Sequence, residues 1–140
     1  MSIDLPTLSS FFAASPFMVD LGVQPTAVAE GRVTSEVQLE KRHQQHTGQC
    51  HAGVMATMAD HSMGAAAQTL APEGTWAITA ELKTAQLRPG KGERLVCEAF
   101  VIKPGRTLSF TEAEVYAVSG NERTLVMKAS ATMALVPRKD

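Results

Sequence analysis

Residues 52–74 read AGVMATMADHSMGAAAQTLAPEG, and this stretch decides the fold. Between Ala52 and Pro72 the only formally charged side chain is Asp60; almost everything else is small or apolar. The spacing predicts a helix over Ala52 to Leu70, ended by Pro72 and Gly74, which cannot continue it. A helix apolar on most of its circumference needs cover on most sides. The downstream sequence supplies that cover. Trp76 to Leu87 stops at Arg88-Pro89-Gly90, Glu93 to Lys103 at Pro104-Gly105, and Thr107 to Val118 at Ser119-Gly120-Asn121; Glu122 to Val136 then runs to the polar end. Gly and Pro pairs between apolar runs are hairpin signals with a steric cause. The expected result is an α+β domain in which a strongly curved antiparallel sheet wraps around one long helix.

Upstream, Pro6 to Ala14 reads as a short amphipathic helix with Leu5, Leu8, Phe11 and Phe12 on one side, stopped by Pro16. Leu21 to Ala29 is a strand candidate. Arg32 to Glu40 is a clearer one, because Val33, Val37 and Leu39 alternate with polar residues. Lys41 to Cys50 is a polar loop. In the last strand Leu125, Met127, Ala129, Ala131, Met133 and Leu135 share one face. In the preceding strand Leu108 and Phe110 are out of phase with Ala113, Val115 and Ala117, which predicts a bulge near Thr111-Glu112. No repeat or linker divides the chain, so residues 1–140 form a single domain.

Composition narrows the function. Hydrophobic residues make up 44% and charged residues 19%, enough for a core, but aromatics are only 5%, so that core is aliphatic. Thirteen basic residues against fourteen acidic ones leave a net charge of −1. A nucleic-acid binder needs a basic excess to neutralise phosphates, and a membrane surface attracts polybasic runs; neither is present. Cys50 and Cys97 have no paired spacing, which argues against a disulfide framework. The first twenty residues lack a secretory pattern, and Asp60, His61, Ser62 and Gln68 interrupt the longest apolar run. The expectation is a soluble cytoplasmic protein with no nucleic-acid or membrane partner.

Asp60 shares a helical face with Ala56, Thr57, Met63, Gly64 and Ala67, and the small ones among them leave room beside the carboxylate. Burying a lone carboxylate costs several kcal/mol unless it is partnered. Asp60 therefore reads either as a functional acid or base, or as the edge of a solvated stripe with Thr57, His61 and Gln68. The helix start, Gly48-Gln49-Cys50-His51-Ala52-Gly53, offers free N–H groups and a helix dipole to a developing oxyanion. It reads equally as glycines placed for turning. His43 and His46 with Cys50 and His51 lack an established metal-ligand spacing and a carboxylate partner. Cys50 with His51 as its base is a weak pair, since sequence neighbours seldom point at each other.

Taken together, Gln45-x-x-Gly48-x-x-His51-Ala52-Gly53, with Asp60 nine residues after His51, resembles the signature of hotdog-fold acyl-CoA thioesterases, specifically the PaaI-like (phenylacetate-pathway) and 4-hydroxybenzoyl-CoA groups. Leu87-Arg88-Pro89-Gly90 and Lys103-Pro104-Gly105-Arg106-Thr107-Leu108-Ser109-Phe110 are similar to that family's strand ends and turns, and the similarity spans about Val19 to Val136.

The resemblance implies a hotdog fold and hydrolysis of an acyl- or aryl-CoA thioester to free acid and CoA, without metal or cofactor. It implies Asp60 as general base or nucleophile and Gln45 as the residue orienting water or thioester. It implies the Ala52 N–H as oxyanion donor, with His51 and Gly53 ordering that helix start, and Thr79 as a hydroxyl assisting the water. It further implies a homodimer or homotetramer whose active site is shared, Asp60 of one copy facing Gln45 and Ala52 of another. Met63 and Gly64 are expected to shape the substrate groove. Arg88 and Arg106, in turns with Lys91 and Lys103, are expected to meet CoA phosphates. One departure is Ala52, where the family carries Gly; a methyl there matters only if the position needs a positive φ or a close approach. That departure favours the alternative of a non-catalytic acyl-CoA or small-ligand binding protein. A hotdog dehydratase or hydratase using His46 and Asp60 is the other alternative, and the missing proline at the helix start argues against it.

Overall fold

The computed structural model describes residues 3–139. Helix α1, Leu5–Ala13, starts where the Asp4 side chain accepts a hydrogen bond from Thr7 N at 2.9 Å, and it buries Leu8 and Phe12. Pro16 does end the neighbourhood of α1, but it also begins a second helix that the sequence reading missed, α2, Pro16–Leu21. At the first helical position the missing N–H of proline is no loss. Gly22, at φ 81°, closes α2 in the left-handed region, so the first strand begins at Gln24 and not at Leu21.

Strands β1, Gln24–Ala29, and β2, Arg32–Gln38, form a hairpin. A single 3-10 turn, Lys41–His43, interrupts the expected loop. Helix α3 runs Ala52–Leu70, the predicted span. It is followed by β3, Thr75–Gln86, β4, Arg94–Lys103, β5, Leu108–Ser119, and β6, Glu122–Pro137. The strands form one antiparallel sheet in the order β1-β2-β4-β5-β6-β3. This is the hotdog arrangement, with α3 lying in the curve of the sheet.

The packing of α3 follows from residue size. Met58, Ala59, Met63 and Ala66 are fully buried against Leu95, Cys97, Ala113, Val115, Met127 and Met133 of the sheet. Alanines on both surfaces let helix and sheet approach, and the unbranched methionines fill the remaining gaps. Three polar ties fix the helix. Ser62 and Ser35 of β2 share a buried Oγ–Oγ hydrogen bond of 2.7 Å. Gly31 N donates to Thr69 Oγ1 at 2.7 Å. Gln68 holds the start of β3 by both ends of its amide, donating to Thr75 O at 2.9 Å and accepting from Ala77 N at 3.0 Å.

The predicted bulge at Thr111-Glu112 is not there. Ser109, Thr111, Ala113, Val115 and Ala117 alternate inward without a break, while Leu108 and Phe110 face out. Thr111 is tolerated inside because its hydroxyl donates to Ala131 O at 2.9 Å. The extra residues lie in the neighbouring strands, at Ile102 in β4 and Val126 in β6. The second shifts the phase of β6, so Val126 is buried and Leu125 leaves the face expected for it.

Strand β3 is a sheet edge, hydrogen-bonded to β6 on one side only. Ile78 and Leu82 on it are exposed. No helix among the described residues is long and apolar enough to cross a membrane.

Candidate active site

Two groups of candidate residues are built by different parts of the fold. The first surrounds the start of α3. Gly48, at φ 87°, turns the loop so that Gly48 N donates to Gln45 O at 3.0 Å and Gln45 N to Gln49 O at 2.8 Å. The Gln45 side-chain oxygen accepts from Thr47 N. Cys50 N donates to Gly90 O at 3.1 Å, and a Cβ on Gly90 would lie 2.9 Å from Cys50 Cβ and 3.3 Å from Met55 Sδ. Only glycine lets the turn after β3 lie this close to the helix start.

His51 caps α3, its Nδ1 accepting from Gly53 N at 2.8 Å. A Cβ on Gly53 would stand 2.9 Å from that nitrogen, which accounts for glycine at this position. The Gly53 N–H is therefore occupied. Ala52 is the first helical residue and has no positive φ, so its methyl brings no backbone strain. The Ala52 N–H has no hydrogen-bond partner among the described residues and points along the positive end of the helix dipole.

The second group lies two turns further along α3. Asp60 is half-buried, and Thr79 of β3 donates its hydroxyl to Asp60 Oδ1 at 2.7 Å. Thr79 stands just before an extra residue, Ala80, in β3, where the register with β6 shifts. A mostly apolar cavity of about 450 Å³ opens beside them, walled by Leu8, Phe11 and Phe12 of α1, by His61 and Gly64 of α3, and by Trp76 and Ile78 of β3. Phe12 meets the His61 ring edge-on at 4.5 Å, and Phe11 meets Trp76 edge-on at 6.4 Å. Burial lowers the His61 pKa below its ordinary value, with the Asp60 carboxylate pulling the other way. The sequence reading passed over His61 as part of a solvated stripe; its place beside the one carboxylate of an apolar helix was the available signal.

Gln45, His51, Ala52 and Arg88 line a different cavity of about 710 Å³, with Met55, Leu87 and Gly90. Ala52 and Asp60 are eight residues apart on one helix, or about 12 Å along its axis. One chain therefore does not bring the two groups onto one substrate carbonyl.

Met63, expected in the groove, and Arg106, expected at the CoA phosphates, are elsewhere. Met63 is fully buried in the core and lines neither cavity, because its position on α3 faces the sheet. Arg106 is exposed in the turn between β4 and β5 and also lines neither cavity. Gly64 does line the Asp60 cavity, and a Cβ there would come no nearer than 3.9 Å to Met133 Cε. Arg88, in the turn after β3, is tied to β6 by a 2.9 Å hydrogen bond from Nη1 to Leu125 O.

The histidine and cysteine alternatives lose their chemistry. His43 is buried with both ring nitrogens engaged, Nδ1 accepting from Glu40 N at 3.0 Å and Nε2 lying 2.7 Å from Leu21 O. Burial pushes the Cys50 thiol up to about 11, so it is protonated at neutral pH, and His51 faces the Gly53 amide instead. No group of three His, Cys, Asp or Glu residues among the described residues is arranged to hold a metal.

Residues 47–124 match the family described as the Thioesterase superfamily. Acyl-coenzyme A thioesterase 13 from Homo sapiens and from Pongo abelii are each 30% identical over 90 residues, covering 64% of this chain and 64% of the relative. The chain thus matches somewhat less than two thirds of the length of these relatives. The crystal structure of a thioesterase family protein from Silicibacter pomeroyi is 33% identical with a TM-score of 0.90, covering 94% of this chain and 96% of that one. Thioesterase superfamily member 2 of zebra fish is 26% identical with a TM-score of 0.83, over 96% and 99% of the two chains.

Proposed function

The chain belongs to the thioesterase superfamily, and on that premise we propose that it hydrolyses acyl- or aryl-CoA thioesters to free acid and CoA. The observation that carries this reading is the half-buried Asp60 carboxylate, held by Thr79 at the mouth of an apolar cavity that suits an acyl group. With Oδ1 fixed by the Thr79 hydroxyl, Oδ2 is left to take a proton from water or to attack the thioester carbon. The oxyanion that forms is stabilised by the unpaired Ala52 N–H and the helix dipole. Gln45 orients the water or the thioester. The residue pattern Gln45, Gly48, His51 and Asp60 supports a PaaI-like group.

We further propose that the site is completed between two copies of the chain. The separation of about 12 Å along α3 supports this, because Asp60 and Ala52 of one chain are too far apart to share a carbonyl. Strand β3, an unpaired edge carrying exposed Ile78 and Leu82, is suited to pairing with β3 of a second copy. That pairing carries Thr79 and Asp60 toward the partner. Arg88, on the wall of the Gln45 cavity, is the best-placed cation for a CoA phosphate.

The test is thiol release from a panel of acyl- and aryl-CoA thioesters. Turnover is expected with at least one of them, and Asp60→Asn is expected to lower it by about 10²–10⁴-fold, the usual worth of a positioned acid or base. Wild-type turnover in Asp60→Asn would contradict the mechanism.

A further inference from the structure

In the Asp60 cavity most polar side chains are already used. Thr79 donates to Asp60, and both ends of the Gln68 amide are bonded to the backbone of β3. His61 is the exception on α3: half-buried, on the cavity wall, with neither ring nitrogen hydrogen-bonded among the described residues. Neither nitrogen is sealed from solvent, so the ring is free to bond whatever enters the cavity, and a ligand that excluded water without replacing that bond would cost about 1–3 kcal/mol. The ring is held by Phe12, which meets it edge-on at an interplanar angle of 89° and so fixes the plane in which its nitrogens lie. The small neighbours Gly64 and Ala65 leave the space in front of it open.

We propose that His61 is a specificity-determining residue that hydrogen-bonds an oxygen substituent, hydroxyl or oxo, carried by the substrate's acyl group close to the thioester carbonyl. This rests on the reading of Asp60 as the group that addresses that carbonyl. The location follows from the helix. His61 follows Asp60 directly, so its backbone is about 3.8 Å further on and turned by about 100°. Its side chain therefore reaches the wall beside the first few acyl carbons and not the far end of the cavity. Burial favours the neutral ring, and a neutral imidazole carries one N–H donor and one lone pair, which serve a hydroxyl or an oxo group equally well. A plain hydrocarbon at the same place strands the imidazole without water or partner. A site built around a polar group discriminates strongly against ligands that lack the matching one.

The test uses CoA thioesters paired to differ by one oxygen: butanoyl against 3-hydroxybutanoyl and 3-oxobutanoyl, and benzoyl against 2-hydroxybenzoyl. kcat/KM is measured for wild type, His61→Phe and His61→Gln. The wild type is expected to favour an oxygenated member of at least one set by about tenfold or more, the worth of one hydrogen bond of about 1.4 kcal/mol. His61→Phe keeps the ring against Phe12 but has no nitrogen, and is expected to bring that ratio toward one. His61→Gln restores a donor and an acceptor and is expected to recover part of it, which also covers the case of a poorly folded Phe variant. Hydrolysis without preference in any set, or a preference that survives in both variants, overturns the role of His61 while leaving thioester hydrolysis standing. Absence of hydrolysis across a broad acyl-CoA panel overturns the underlying reading itself.

Discussion

The Thr79 hydroxyl donates to Asp60 Oδ1 at 2.7 Å, joining the middle of the central helix to the edge strand of the sheet. The bond occupies one oxygen of a carboxylate that lines the cavity and leaves the other without a side-chain partner among the described residues. Hydrogen bonds to charged groups are worth about 1.5–3 kcal/mol, and the exposure of Thr79 places this one at the lower end. Thr79→Val is therefore expected to lower kcat by about tenfold with little change in KM, while Thr79→Ser retains most of it. Steady-state kinetics on the best thioester checks this; a loss in Thr79→Ser with none in Thr79→Val would mean that the methyl packing, and not the hydroxyl, is what matters.

At the helix start, the His51 cap and the glycine beside it form one unit. Gly53→Ala brings a Cβ to 2.9 Å from His51 Nδ1, and the cap must move. His51→Ala removes the cap outright. Each is expected to cost about 1 kcal/mol of stability, the usual worth of an N-cap. Each is also expected to lower kcat, because the Ala52 N–H loses its fixed direction. Urea unfolding read beside kcat checks both parts.

The thiols are predicted to be silent in the folded protein. Burial raises Cys50 to about 11 and Cys97 to about 12. Neither is expected to react with an aromatic disulfide reagent at pH 8 until the chain unfolds, and Cys50→Ala is expected to retain turnover. Linkage gives the sign at high pH. The unfolded thiols ionise near 9, so above that pH the unfolded state holds fewer protons than the folded one. Stability is unaffected by these groups below pH 9 and falls as pH rises from 9 toward 11. Urea midpoints at pH 7, 9 and 10 test this, and a midpoint that holds steady from 9 to 10 would count against it.

Arg88 and Arg106 separate a cavity wall from a solvated turn. Arg88 lines the Gln45 cavity and Arg106 lines neither. Arg88→Ala is expected to raise KM for CoA thioesters several-fold, an effect that weakens at high salt, whereas Arg106→Ala leaves KM unchanged. A KM increase in Arg106→Ala alone would reverse the assignment.

Much of this arrangement was legible in the sequence, for physical reasons that differ from element to element. The helix Ala52–Leu70 was readable because a long run of mostly small and apolar residues ends at Pro72 and Gly74. The four later strands followed from turn chemistry. Helix α2 was missed because Pro16 stops one helix and starts another with the same fixed φ. The bulge was misplaced because Ser109 and Thr111, polar by type, are buried, while Leu108 and Phe110 are exposed. At the site, Asp60 and Thr79 were each singled out through resemblance to a family, and the hydrogen bond that joins them was not foreseen. Met63 was assigned to the groove from a helical wheel, which shows which residues share a face but not which neighbour that face meets. His61 lay outside the assigned residues because its cavity is closed by α1, some fifty residues earlier in the chain.

The central claim is a thioesterase site completed by two copies, Asp60 from one and Gln45 with the Ala52 amide from the other. It is tested most directly by mixing two defective chains. Asp60→Asn and Gln45→Ala proteins, each assayed alone, are expected to be nearly inactive. After unfolding together and refolding at equal concentrations, half the dimers pair one chain of each kind, and each such dimer holds one intact site. The account predicts recovery to about a quarter of wild-type turnover, as a two-fold interface requires. Activity no higher than the sum of the two separate proteins would contradict it.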